Sequence, residues 1–208
     1  MIPYSITKIE NGPFLENSWL ISFSNDKAIL IDPGDEPERI LHTADLKKVK
    51  LLGIYATHGH LDHIGAVSKI QKDRNLPFYI HEKDTFLVET LPQACGMFGL
   101  PRVEIPTIKD NLDKDSLIST GDYEIQVIET PGHTPGGICF VLENHIFVGD
   151  TLFRNSIGRT DLPGGNHQQL IDSIKDVLFS LDDQFIVHSG HGPDTTIGYE
   201  KMNNPFLQ

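Results

Sequence analysis

The apolar positions of this chain fall in short blocks between turn residues, and their spacing switches between two periods. "YSITKI", "SWLISF" and "KAILID" are strand-like runs separated by "NGPF" and "SNDK", so residues 2–32 predict short strands joined by turns. "DPGDEPERILHTADLKK" predicts a loop entering a helix, with Pro37 early and Ile40, Leu41 and Ala44 at helical spacing. "VKLLGIYATH" (49–58) is a mostly apolar strand of the kind covered on both faces. Helical period returns in "IGAVSKIQK" (64–72), "PFYIH" (77–81) is a strand, and 82–91 predicts a second helix. Residues 92–120, rich in Pro, Gly and Asp, predict an irregular excursion over the surface. Strands resume in "YEIQVIETP" (123–131), "GICFVLEN" (137–144) and "HIFVGD" (145–150). A Gly-rich loop (152–166), an amphipathic helix predicted over 167–181 and a buried strand, "FIVHSGHG" (185–192), follow. Strands and then βα units, twice over, predict an α/β chain of two similar halves with helices outside.

The ends of the strands share a chemical pattern. "IYATH", "IETPGH", "IFVGD" and "IVHSGH" each run from an apolar segment into His or Asp, with a glycine close by. They supply His58, His133, Asp150 and His191, and the first continues as "HGHLDH", adding His60, Asp62 and His63. Strand C-terminal ends gather at a common crevice in sheet proteins covered on both faces, so these seven are candidates for one place. Imidazoles and carboxylates together suit a borderline cation, Zn²⁺ first, with Fe or Mn as alternatives. Seven ligands exceed one tetrahedral site and fit two metal ions with a bridging carboxylate and positions open to solvent. The other histidines read as structural or solvated: His42 on a helix, His145 in a hairpin turn, His167 at a helix start, His81 at a strand end. His188 could support the ligands or simply pack.

Composition narrows the partners. A chain of 208 residues is expected to form one domain, 1–208, with a core large enough to fold without disulfides. With 17 Lys and Arg against 29 Asp and Glu, the net charge of −12 argues against a nucleic-acid or acidic-membrane partner. No run approaches the ~18–20 apolar residues of a membrane span, and no secretory signal is visible, so a cytoplasmic protein is expected. Cys95 and Cys139 then read as two reduced thiols, Cys139 as a small core residue. The serine-hydrolase elbow, the phosphate loop and the dinucleotide fingerprint are all missing.

"THGHLDHIGA" resembles the signature of the metallo-β-lactamase-fold hydrolases, and "ETPGHTPGG", "FVGDTLF" and "SGHGPDTTIGYE" resemble that family's later motifs in the same order. "GDTLFRNSIGRTDLPGGN" is most similar to the short bacterial glyoxalase II-type proteins. The resemblance implies an αββα sandwich and two divalent ions: His58, His60 and His133 on one, Asp62, His63 and His191 on the other, and Asp150 bridging. It also implies hydrolysis of a small-molecule thioester, S-D-lactoylglutathione or a related 2-hydroxyacyl thioester, with Asp62 and Asp150 as the catalytic carboxylates and Arg159 as a substrate contact. Two departures stand out. The chain ends before the C-terminal helical region that binds glutathione in larger glyoxalase II enzymes, and Ser189 stands where a proline is more frequent. An iron-dependent persulfide dioxygenase on the same fold is the nearest alternative, against which Leu61 argues, since those proteins more often carry alanine there. A metal-binding protein without turnover is the alternative of another class.

Overall fold

Period-two alternation sorts the side chains of each sheet onto two faces, and both faces here are apolar. The computed structural model describes residues 4–121 and 123–208. Its first sheet contains β1 (Tyr4–Asn11), β2 (Glu16–Phe23), β3 (Lys27–Ile31), β4 (Lys50–Tyr55), β5 (Phe78–His81) and β6 (Ile108–Leu112), in chain order. β1, β2 and β3 pair antiparallel through short turns, while β3 to β6 pair parallel. Parallel neighbours need long crossovers, and helices supply them: α1 (Pro37–Leu46), then α2 (Leu61–Ile64) with α3 (Val67–Arg74), then α4 (Thr85–Glu89) with α5 (Leu91–Met97).

The second half holds β7 (Leu117–Ser119), β8 (Glu124–Glu129), β9 (Ile138–Leu142), β10 (His145–Gly149), the small hairpin β11 (Leu152–Phe153) and β12 (Ser156–Ile157), α6 (His167–Asp172), β13 (Ile186–Ser189), β14 (Thr195–Thr196) and α7 (Ile197–Asn203). Its sheet runs β14-β13-β10-β9-β8-β7. Three apolar groups then define four layers. Ile40, Leu41, Val67, Ile70 and Leu91 of the helices cover Leu20, Leu30, Ile54 and Phe78 on the outside of the first sheet. Trp19, Ile21, Ile29 and Ile31 meet Ile125, Val127, Phe140 and Phe147 between the sheets. Leu170, Ile174, Leu178 and Ile197 cover Cys139, Val141 and Val187 on the outside of the second. The result is the αββα sandwich that the resemblance implied.

Four local expectations change. The helical pattern over 64–72 is broken at Gly65 and Ala66, because a single-turn α2 precedes α3. Gly65 lies so close to the Gly34 carbonyl that a Cβ would stand 2.5 Å from it, so the chain turns there against the β3–α1 loop. The helix predicted over 82–91 is a 3-10 turn (Glu82–Asp84) and α4, and α5 carries helix on through Met97. The stretch read as irregular also contains β6 and β7, edge strands that give no alternation to detect, because β6 exposes Lys109, Asp110 and Asn111 in a row and β7 is only three residues long. The helix over 167–181 is α-helical only to Asp172 and continues as a π turn (Ser173–Val177) and a 3-10 turn (Leu178–Ser180); the Ser173 hydroxyl donates to the Pro131 carbonyl at that transition. Among the described residues no helix is long and apolar enough to cross a membrane.

Candidate metal centre

Five strands deliver chemistry at their C-terminal ends. β3 runs into Asp32, β4 into Thr57 and His58, β8 into His133, β10 into Asp150 and β13 into His191, while α2 presents Asp62 and His63. The approach is close enough to need glycine: a Cβ on Gly190 would stand 2.5 Å from Asp150 Oδ1, and one on Gly149 would stand 2.2 Å from Thr57 Oγ1. Gly149 also has φ +50°, the left-handed region that glycine enters without steric cost.

All seven candidate side chains converge. Potential ligand atoms of His58, His60 and His133 lie within 4.8 Å of one another, as do those of His58, His63 and Asp150, and those of Asp62, His63 and His191. His60 Nδ1 and His133 Nε2 face each other at 2.9 Å. Asp150 stands between the groups, 3.3 Å from His63 Nε2, 3.6 Å from His133 Nε2 and 3.7 Å from His191 Nε2, and Asp62 is 3.3 Å from His191 Nε2.

The far sides of the rings fix which nitrogen faces inward. His133 Nδ1 donates to the Arg159 carbonyl at 2.6 Å, and His191 Nδ1 donates to the Phe14 carbonyl at 3.1 Å. Asp32 accepts from His63 Nδ1 at 3.0 Å, from Thr57 N at 2.7 Å and from the Thr57 hydroxyl at 2.6 Å. With its proton given to Asp32, that hydroxyl accepts from His58 Nδ1 at 3.0 Å. Nδ1 is committed to these outer partners, so the four rings turn Nε2 toward the crevice as the ligand atom. His58 Nε2, His63 Nε2 and Asp150 Oδ1 are buried and make no hydrogen bond within the protein, and His60 meets His133 Nε2 through its Nδ1. Buried polar atoms are normally paired, and a set of converging lone pairs fits a cation.

Charge follows the same logic. Burial, then His63 and its neighbours, hold His58 well below the usual histidine range, and burial with His133 lowers His60 to about 4. Both are therefore neutral and able to bind metal. Burial would raise Asp150, but His63, His133 and His191 outweigh it and keep the carboxylate charged. Burial would lower His63, and Asp150 and Asp32 on its two sides push it well above the usual range instead, so His63 holds a proton between the two carboxylates that a cation bound at Nε2 would displace.

A model described as the metallo-beta-lactamase superfamily matches residues 11–195. The chain belongs to this superfamily. It is 40% identical over 199 residues to a Haemophilus influenzae protein named hydroxyacylglutathione hydrolase GloC, covering 93% of each chain. Among solved structures it is similar to the BLEG-1 B3 metallo-beta-lactamase, at TM-score 0.92 and 35% identity over 98% of this chain and 100% of that one. It is also similar to a protein crystallised in a di-iron-bound form, at TM-score 0.89 and 39% identity over 97% of this chain and 100% of that one. Superfamily membership and the donor set together imply a divalent metal here.

Several residues around this superfamily site were not singled out in the sequence. Asp32 follows "KAILI" just as Asp150 follows "HIFVG", so the strand-to-carboxylate signal was present. Asp84 carried no such signal. It is buried, and its carboxylate accepts from Gly59 N at 2.9 Å, Thr134 Oγ1 at 2.7 Å and Gly136 N at 2.7 Å, tying the loop of His58 and His60 to the loop of His133. Ser189, in place of proline, donates to the Leu152 carbonyl at 2.7 Å and anchors β11. Arg159 contributes its carbonyl to His133, while its guanidinium lies at the surface in a two-bond pair with Asp161. His188 packs between the sheets against Trp19 and Phe147 and bonds Asp194 and His145, and His81 Nδ1 accepts from Lys83 N; neither histidine joins the cluster. His145 is the first residue of β10 rather than part of the turn before it.

Proposed function

We propose that this chain is a metal-dependent hydrolase of thioesters, with S-D-lactoylglutathione or a related 2-hydroxyacyl thioester as substrate. The observation that carries this reading is the 40% identity, over nearly the whole of both chains, to the relative named hydroxyacylglutathione hydrolase. His58, His60 and His133 would hold one ion, and Asp62, His63 and His191 a second, with Asp150 shared. Zn²⁺ suits this donor set, as do Fe and Mn. Divalent ions bound here would lower the pKa of coordinated water toward about 7 and stabilise negative charge on the thioester carbonyl oxygen.

The chain's own residues orient and exclude. Asp150, charged and central, accepts a hydrogen bond from the attacking water and aims it at the carbonyl carbon. Asp62 keeps its charge because His191 and His63 outweigh its burial, and it offers a second acceptor beside His191. The leaving thiolate has a conjugate-acid pKa near 8.5, so it departs without a strong general acid. The Arg159 guanidinium, exchanging Asp161 for the substrate, would contact a carboxylate of the glutathione moiety.

Purified protein supplied with Zn²⁺, Fe²⁺ or Mn²⁺ is expected to cleave S-D-lactoylglutathione and to contain two metal ions per chain by elemental analysis. Asp150→Asn should lower kcat about 10²–10³-fold. Absence of cleavage with every metal overturns the reading, and one iron per chain with oxygen uptake would replace it by the dioxygenase.

A further inference from the structure

Beside the metal centre lies a pocket of about 150 Å³ that no step above uses. Phe14, Leu61, Leu100, Pro101 and Val103 give it apolar walls, and Asp62 also lines it. Two wall residues flank the same imidazole: the Phe14 carbonyl accepts from His191 Nδ1, and Asp62 Oδ2 lies 3.3 Å from His191 Nε2. The pocket therefore begins at the edge of the proposed second ion site. Outward, the Phe14 ring is 37% exposed and packs edge-on against Phe98, itself 51% exposed, at 5.3 Å between centroids, so an apolar rim continues the walls. Asn11 and Glu16, also in the lining, are bonded to each other at 3.0 Å. The remaining charges on the pocket, Asp35 and Asp62, are both acidic.

A mostly apolar cleft that shares Asp62 with the proposed second ion site suits a group attached to the carbonyl. A dry apolar cavity of this size takes a molecule like benzene, about six heavy atoms. We propose that the acyl chain of the thioester lies in this pocket, which selects uncharged linear acyl groups of about four to six carbons. The assignment rests on the thioesterase reading and sharpens it: a lactoyl group fits but leaves the outer half of the pocket unfilled. An acyl chain ending in a carboxylate meets apolar walls and the Asp35 carboxylate, with no basic residue in the lining to pair with it, and is disfavoured.

The test is a series of S-acyl glutathiones (acetyl, D-lactoyl, butyryl, hexanoyl, octanoyl, decanoyl and succinyl) assayed with the metal-loaded protein. The expected profile rises about fourfold in kcat/KM per added methylene up to hexanoyl, through KM, and then levels or falls. Succinyl should run at least about tenfold below butyryl. Leu100→Trp, which fills the pocket, should move the optimum to two or three carbons, and Leu100→Ala should move it upward. Calorimetry with uncleavable S-methyl and S-hexyl glutathione provides a readout separate from turnover, with the hexyl compound binding more tightly to the wild type and losing that advantage in Leu100→Trp. Cleavage of all these thioesters with a flat profile shared by the variants overturns the pocket assignment and leaves thioester hydrolysis standing. Cleavage of none of them overturns the hydrolase reading and the acyl assignment with it.

Discussion

Asp84→Asn separates the support of the metal loops from the ligands themselves. The carboxylate holds three donors from two loops, at 2.9, 2.7 and 2.7 Å, in a buried place. An amide of the same shape has one acceptor oxygen. Placed where Oδ2 now stands, it keeps Gly59 N and Thr134 but turns its own NH₂ toward Gly136 N, donor against donor. Placed the other way, it keeps Gly136 N and opposes Gly59 N, while the Thr134 hydroxyl turns to accept from the amide, so either orientation leaves one backbone donor opposed. One unsatisfied buried donor costs about 1–3 kcal/mol. Burial already raises the Asp84 pKa, ahead of the opposing bonds from Thr134, Gly59 and Gly136, so removing the charge returns part of that cost. A net loss of about 2 kcal/mol corresponds to a Tm about 4–8 °C lower for a domain of this size. Because the freed loops carry His58, His60 and His133, metal affinity should fall about 10–100-fold, measured by competition with a chelating dye. Wild-type Tm and wild-type affinity together would refute the reasoning. A lowered Tm with unchanged affinity would show that Asp84 holds the fold and not the ligand geometry.

Three further outcomes are expected. Exhaustive chelation should lower the Tm by about 8–16 °C if free metal stands near a thousand times its Kd, since ligand linkage is then about 4 kcal/mol; an unshifted melting curve would mean that the site holds no ion. Cys139 is pushed up to about 12 by burial, against hydrogen bonds from Thr130 and Thr151, and Cys95 is also buried. Native protein at pH 8 should therefore leave a thiol reagent unreacted, while two thiols per chain react in guanidinium. Arg159→Ala removes only an exposed pair with Asp161 from the free protein, so the Tm should hold; if the guanidinium contacts substrate, KM for a glutathione thioester rises several-fold with kcat unchanged.

Sequence made the ligand geometry legible because strand ends and ligands coincide. Apolar runs mark where β4, β8, β10 and β13 stop, and a sheet covered on both faces leaves its polar termini only one crevice to share. Asp32 follows the same rule but stands alone, without histidines beside it, so its apolar run announces no ligand. Asp84 was invisible for a physical reason: its partners Gly59 and Gly136 lie 25 and 52 residues away, and backbone N–H groups leave no trace in side-chain chemistry. β6 and β7 were hidden because an edge strand owes its pairing to one neighbour and tolerates solvent-facing residues such as Lys109 and Asn111. Helix length misled where tertiary contact overrode period, at the Gly65 turn and at Ser173.

Leu61 and Asp62 apart, the pocket walls and the ligands belong to different parts of the chain. The histidines and aspartates stand just past the ends of strands buried in the sandwich, where a change of spacing would disturb two sheets. Phe14 belongs to the β1–β2 turn, and Leu100, Pro101 and Val103 to a connection between α5 and an edge strand. Side-chain replacements there move no strand and leave the Phe14 carbonyl to hold His191. Descendants of such a chain could exchange one acyl preference for another by drift in two surface segments while the reaction itself stayed fixed, and a laboratory library confined to residues 12–15 and 98–103 would explore the same freedom.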